Sequence, residues 1–439
     1  MTLINPATIY SVLGNPNSLI PLAVKDISAT AGMTAGSFVT GKEEGVDRFI
    51  DEAGTEAIWL LGIPGFKLLF DKTVFKATGL DSKFDARILK DKDIFENTKK
   101  YAPTKEIKEN IEKIGKNQKL FKNTAIAKFG VATALTVGSY IGLTRFKQNY
   151  TEKKIRENLI SEYNAKKAQE EKNTEISTSK EPSFKGLGKA VEYFAFSPVR
   201  NMWILDGCIT AERLKDSRSP QEFFGYGIKE AMTLCFMYYA GGKIQDMLEK
   251  RAVSKHDKSI ALDARVLEGN SLKEAFENGS VEKSLAEFAQ ANKSNAELYE
   301  FIHNNPENLV VKMAKESEII QMYKEPQGFL KKAKITDKID TRKYIDLKEV
   351  EGVNKNISEL YGQFKSALSK GEKSDEFFNS VRKLKRNSIK MNIGACILAL
   401  GVITPALMLA KRFTGNDNQE FQTKKEVRDK LIKEGVIQA

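Results

Sequence analysis

The stretch 391–410, MNIGACILALGVITPALMLA, constrains this chain more than any other part of it. Twenty consecutive residues carry no charge, with Lys390 on one side and Lys411 and Arg412 on the other. Wound as an α-helix, such a run reaches about 30 Å, the thickness of a hydrocarbon core. A helix at the surface of a soluble protein shows a polar stripe. Here the few polar residues form no clear face.

A second run, 129–144 (FGVATALTVGSYIGLT), is sixteen residues long and lies between Lys128 and Arg145. It reaches about 24 Å, and both flanking cations can snorkel to make up the difference. Gly138 and Gly142 stand at the small-xxx-small spacing that lets helices approach closely. Two shorter apolar segments lie near 57–70 and 231–242. The uncharged parts are ten residues (AIWLLGIPGF) and twelve (AMTLCFMYYAGG), each too short to span alone, and Pro64–Gly65 interrupts the first. The expected fold is therefore all-α: a helical membrane protein with two to four embedded helices.

Comparison of the chain with itself suggests duplication. The segment Asp85-Ala-Arg-Ile-Leu89 recurs as Asp263-Ala-Arg-Val-Leu267, and Phe-Glu-Asn follows each copy at Phe95 and Phe276. Glu56 and Glu230 each precede an alanine that opens a short apolar run. KLFKNT at 119–124 and KLKRNS at 383–388 each lead into a long one. The landmarks keep their order.

This gives an N-terminal loop at 1–20, a first half at 21–150 and a charged linker at 151–189. A second half follows at 190–415, with a polar, soluble helical insertion near 280–380, and then a charged tail at 416–439. If all four apolar segments cross, the halves are parallel repeats. If only the long ones do, they are inverted. The small residues of 21–40 suit a close-packed helix, and Thr104, after Pro103, suits the start of a helix carrying Ile107, Ile111 and Ile114. Pro405 is expected to kink the second long run.

The charged residues point to a partner class. Lys and Arg number 70 against 58 acids, a net charge of +12 that suits an anionic lipid surface. A protein partner or a second copy of the chain is equally compatible. The aromatic cluster Tyr193, Phe194, Phe196 and Trp203 beside Arg200 could stack on bases, but no RNP-like motif accompanies it, so nucleic acid is disfavoured. The Lys-rich composition, without a secretory or transit segment, points to a bacterial cytoplasmic membrane.

Catalytic signals are missing. No Walker A, GxGxxG, HExxH or GxSxG pattern occurs, and Gly241-Gly242-Lys243 lacks the rest of a phosphate loop. Two histidines and three cysteines in no ligand spacing argue against a metal or cofactor site, and the cysteines read as buried free thiols. Asp85 with Arg87, and Asp263 with Arg265, read as helix-entry caps with a folded-back pair.

The candidate site is Glu56, Lys67, Glu230 and Lys243, the charges that open and close the two short apolar runs. They would either line a polar pathway between the halves or act as interfacial anchors complementing the helix dipoles. Three functions are thus open. The first is a non-enzymatic membrane scaffold. The second is a small transporter or channel with that pathway, and the third a soluble α-helical interaction protein with buried apolar helices. An enzyme using carboxylates alone would leave no trace in the sequence.

Overall fold

The structure is a computed structural model that describes residues 6–14, 19–166, 198–218, 220–327, 333–414 and 422–437. It is 81% helix and 2% strand. The chain forms two compact units, each assembled from three separate stretches of sequence.

The first unit comprises Met1–Pro21, Phe70–Ala127 and Gly242–Ile393. It buries apolar side chains and exposes charged ones. Ile107, Ile111 and Ile114 recur at helical spacing on Lys105–Lys116 and are buried, while the lysines and glutamates between them face outward. Thr104 caps this helix, its hydroxyl accepting from the Ile107 N–H at 3.2 Å. A second core gathers Phe276, Tyr361, Phe364, Phe377 and Phe378, with ring centroids 5.0–6.4 Å apart and mostly edge-on.

Two details depart from expectation. Within 1–20, Pro6–Leu13 is a helix rather than loop, since a proline fits the first turn of a helix. The polar insertion is not wholly helical either: Met322–Lys324 pairs antiparallel with Ile335–Ile339.

The two expected Asp-x-Arg turns form, and the described residues hold a third. In Asp85–Arg87, Asp263–Arg265 and Asp340–Arg342 the carboxylate accepts from the N–H of the arginine two residues on, at 2.9, 2.8 and 3.2 Å. Each guanidinium then folds back onto the same carboxylate. Asp91 and Asp346, six residues after the first and third aspartates, cap the next helix. The third copy lies inside the expected insertion, so the turn is a local device of this unit rather than a landmark of two halves alone.

The second unit comprises Leu22–Leu69, Lys128–Gly241 and Gly394–Ala439. Its helices include Ile20–Thr40, Lys42–Ala57, Ile63–Phe70, the long Gln118–Lys166, Pro198–Lys215, Pro220–Leu234, Thr404–Thr414 and Gln422–Lys433. The run 129–144 sits within the 49-residue helix Gln118–Lys166, which continues into residues 151–166 of the expected linker. Gln422–Lys433 buries Val427 and Leu431 against Ile155 and Leu159.

Among the described residues, three helices are long and apolar enough to cross a membrane: Lys42–Thr78, Gln118–Asn164 and Ser374–Ala410, with peak mean hydropathies of 1.2, 1.4 and 2.3. Only 22%, 22% and 28% of those apolar windows are buried, so most of their apolar surface faces outward. The 57–70 segment belongs to the first, because the helix extends well beyond the uncharged part on both sides. The 231–242 segment is not among the three.

Prolines and glycines shape these helices. Pro64 and Pro405 each stand two residues after a π-helical turn, Ile58–Gly62 and Ala399–Ile403. Proline has no N–H for the carbonyl four residues back, so the ladder widens locally. Beside Pro405, the Thr404 backbone N–H and its Oγ1, at 2.8 Å, both donate to the Ala399 carbonyl. The Gly401 carbonyl lies against Gly32, where a Cβ would fall 2.0 Å from it. The small residues of Ile20–Thr40 thus permit backbone contact, as expected. Gly138 and Gly142 do not serve this purpose, since a Cβ on either would meet nothing within 4 Å.

Candidate functional site

Beside an apolar core of Leu22, Trp59, Ile63, Met202, Leu205 and Met237, the second unit buries a network of charges. Lys25, Asp47, Asp51, Glu52, Glu56, Lys147, Arg213, Lys229 and Glu230 are all buried, while Leu61, Val402 and Leu407 are exposed. The acids of Lys42–Ala57 stand four apart, Asp47 above Asp51 and Glu52 above Glu56, so each pair stacks on one face of the helix.

The first acid pair meets cations. Asp47 accepts from Thr151 Oγ1 at 2.8 Å and pairs with Arg218 at 2.9 Å. Asp51 accepts from Tyr226 Oη at 3.2 Å and lies 3.7 Å from Lys147 Nζ. Arg213 joins the two acid pairs. It donates to Tyr140 Oη at 2.8 Å and Thr55 Oγ1 at 3.0 Å, pairs closely with Glu230, and lies 3.5 Å from Glu52. Lys229 bridges Glu52 and Glu230, each at 3.0 Å.

Below this clamp lies a cavity of about 20 Å³, room for one water molecule. Five acids line it, Asp26, Glu52, Glu56, Asp206 and Glu230, against two cations, Arg213 and Lys229. Among the described residues, three buried polar atoms that line it have no hydrogen-bond partner: Glu56 Oε2, Trp59 Nε1 and Thr233 Oγ1. Each would cost free energy if left dry and unpaired. Glu56 otherwise takes a 3.3 Å bond from Thr30 Oγ1, and Asp206 accepts from Tyr238 Oη.

Of the four residues singled out from the sequence, Glu56 and Glu230 line this one cavity. Lys67 and Lys243 do not line it: Lys67 is half-buried and Lys243 exposed. Asp26, Glu52, Asp206, Arg213 and Lys229 were not singled out. Asp26 could have been, because it is the lone acid of a helix of apolar and small residues, and Asp206 because it stands within the apolar stretch MWILDGCI.

Other candidates resolve more simply. Among the described residues, no group of three or more His, Cys, Asp or Glu is placed to hold a metal ion. Cys396 is buried and Cys208 half-buried, but Cys235 is exposed, contrary to its apolar surroundings in the sequence. Trp203 packs edge-on against Tyr238, while Tyr193, Phe194 and Phe196 lie outside the described residues. In the first unit His303 stacks on Tyr101 at 4.6 Å, and burial lowers its pKa to about 4. A larger pocket there, of about 300 Å³, is lined by Lys76, Lys83, Lys324 and Arg342 against Asp71, Asp81 and Glu106, so its charges nearly cancel.

No family model, curated protein or solved structure matches this chain.

Proposed function

We propose that this chain is an integral membrane protein, non-enzymatic, whose lipid-facing helices enclose a binding site for a small cation, the proton included, on a polar pathway. The observation that carries this reading is the cavity: five acids against two cations, with three unpartnered polar atoms. Charge buried among lipid-facing helices is costly unless it is paired or has a task, and this excess of acid is not fully paired. Glu56 and Glu230 then correspond as the opening residues of two duplicated segments. The basic surface of the chain suits anionic lipid, as in a bacterial cytoplasmic membrane.

Flux into reconstituted vesicles tests the proposal. Vesicles loaded with a pH- or cation-sensitive dye should respond faster with the protein than without it, and Glu56→Gln should abolish the difference. No response for any monovalent cation, with the protein correctly inserted, would defeat the pathway.

A specific observation favours a second reading, that of a scaffold. Glu230 is clamped by both Arg213 and Lys229, an arrangement that can simply lock helices together. Carbonate-resistant membrane retention without flux, together with capture of anionic lipid, would select it.

A further inference from the structure

We propose that the ligand of this cavity is a proton, held between the carboxyl groups of Asp26 and Glu56. The inference rests on the cation-binding reading above and names its ligand and its residues.

Asp26 and Glu56 line the same cavity. Thr30, one helical turn from Asp26 on the same face of Ile20–Thr40, donates to Glu56 at 3.3 Å, which brings the two acids to one side of the cavity. Two ionised carboxylates offer only acceptors, so no hydrogen bond joins them and Glu56 Oε2 stays orphaned. One proton between them supplies the missing donor, satisfies Oε2, and lowers the charge of the pair from −2 to −1. The proton comes from solvent and no other bond changes.

The surrounding groups leave this pair to itself. On the helix of Glu56, Glu52 is bonded to Lys229. On Pro198–Lys215, Arg213 is committed to Glu230, and Asp206 takes the Tyr238 hydroxyl. On Pro220–Leu234, Lys229 lines the same cavity, yet its ammonium lies 3.0 Å from each of Glu52 and Glu230. Two like charges with no cation of their own in a nearly dry site are relieved by one proton.

The two remaining orphans fit the same reading. Trp59 Nε1 is a donor, and Thr233 Oγ1 can donate or accept. With one water in the cavity, the indole N–H, the threonine and the carboxyl pair gain a common partner, and a bare proton site needs no more space. A metal ion would need converging ligands, and the acids here do not converge as such a set.

Trp59 also reports on the site. The chain has two tryptophans, so Trp203→Phe leaves Trp59 alone. The purified protein in detergent is titrated with acid and base while Trp59 fluorescence is followed. A single one-proton transition is expected. It should be lost in W203F/E56Q, lost or moved in W203F/D26N, and unaffected by sodium, potassium or calcium. Helix content measured by circular dichroism shows that each variant is folded. Infrared spectra of the unmodified protein give a second measurement free of variants: a protonated-carboxyl band sensitive to pH and deuteration is expected.

Absence of that band overturns the proposal, and so does a fluorescence transition that survives both substitutions in folded protein. A metal cation that reproduces the change and competes with acid overturns it too, while leaving the cation pathway standing. Conversely, a proton transition without vesicle flux would uphold the site and defeat the pathway.

Discussion

The two units differ in how much charge they bury and how much apolar surface they expose. In the first, Phe276, Phe288, Phe364 and Phe377 are buried and lysines cover the surface. In the second, Asp51, Glu52, Arg213 and Lys229 are buried and Leu61 is 73% exposed. Water rewards the first arrangement, because apolar surface leaves the solvent and charge remains in it. If the second unit faces lipid, as proposed above, its arrangement has a physical reason too, since exposed leucine there loses nothing and buried charge finds partners.

The largest way to test this contrast is to remove the cation at the centre of the second unit. Arg213→Ala leaves Glu230 with Lys229 alone and strips Glu52 and Asp51 of a neighbour. Breaking a buried pair this way costs about 3–5 kcal/mol, read as loss of thermal stability in detergent. A change below about 1 kcal/mol would mean that water reaches the network.

A paired substitution on the outer surfaces comes next. Leu61→Arg should cost about 2.5–3.5 kcal/mol of membrane insertion, measured by carbonate extraction, if the second unit faces lipid. Leu368→Arg, at a site 43% exposed on the first unit, should stay within about 0.5 kcal/mol in an unfolding experiment. Equal small effects would erase the distinction between the units.

The third test belongs to the first unit and uses pH. The pKa of His303 is lowered from 6.5 to about 4 by burial, so its neutral form is the one the fold prefers. Its contribution is intact above about pH 6.5 and is lost as pH falls toward 4, because the unfolded chain then binds the proton first. The slope is at most about 1.4 kcal/mol per pH unit, and His303→Phe should flatten it in denaturant unfolding at a series of pH values.

The smallest effect is expected at an Asp-x-Arg turn. Asp85 and Arg87 pair at 2.8 Å but remain 19% and 35% exposed. Arg87→Ala should cost no more than about 1 kcal/mol, measured by chemical denaturation. Set against Arg213→Ala, it shows how far burial alone changes the worth of the same kind of pair.

Much of this molecule is legible locally. The Thr104 cap, the isoleucine face of Lys105–Lys116 and the folded-back Asp85–Arg87 pair all depend on residues within one or two turns of each other. The apolar runs 129–144 and 391–410 follow from the chemistry of each residue in turn. The hairpin of Met322–Lys324 and Ile335–Ile339 was hidden because two short strands in a polar stretch carry too little periodicity to register. The role of Gly32 was hidden because it depends on the Gly401 carbonyl, 369 positions away (401 − 32).

The charged site divides in the same way. The sequence by itself determined that Glu56 and Glu230 stand at the mouths of apolar runs, where an ionisable group is costly. Tertiary structure alone decided that both face one cavity with Asp26 and Asp206, that Lys229 and Arg213 are spent on Glu52 and Glu230, and that Lys67 and Lys243 are elsewhere. The physical reason is that helix formation and hydropathy are summed along the chain over a few residues, whereas charge compensation and hydrogen-bond satisfaction are settled through space. An acid's place in the sequence tells how costly its burial would be, but not which cation or proton offsets that cost.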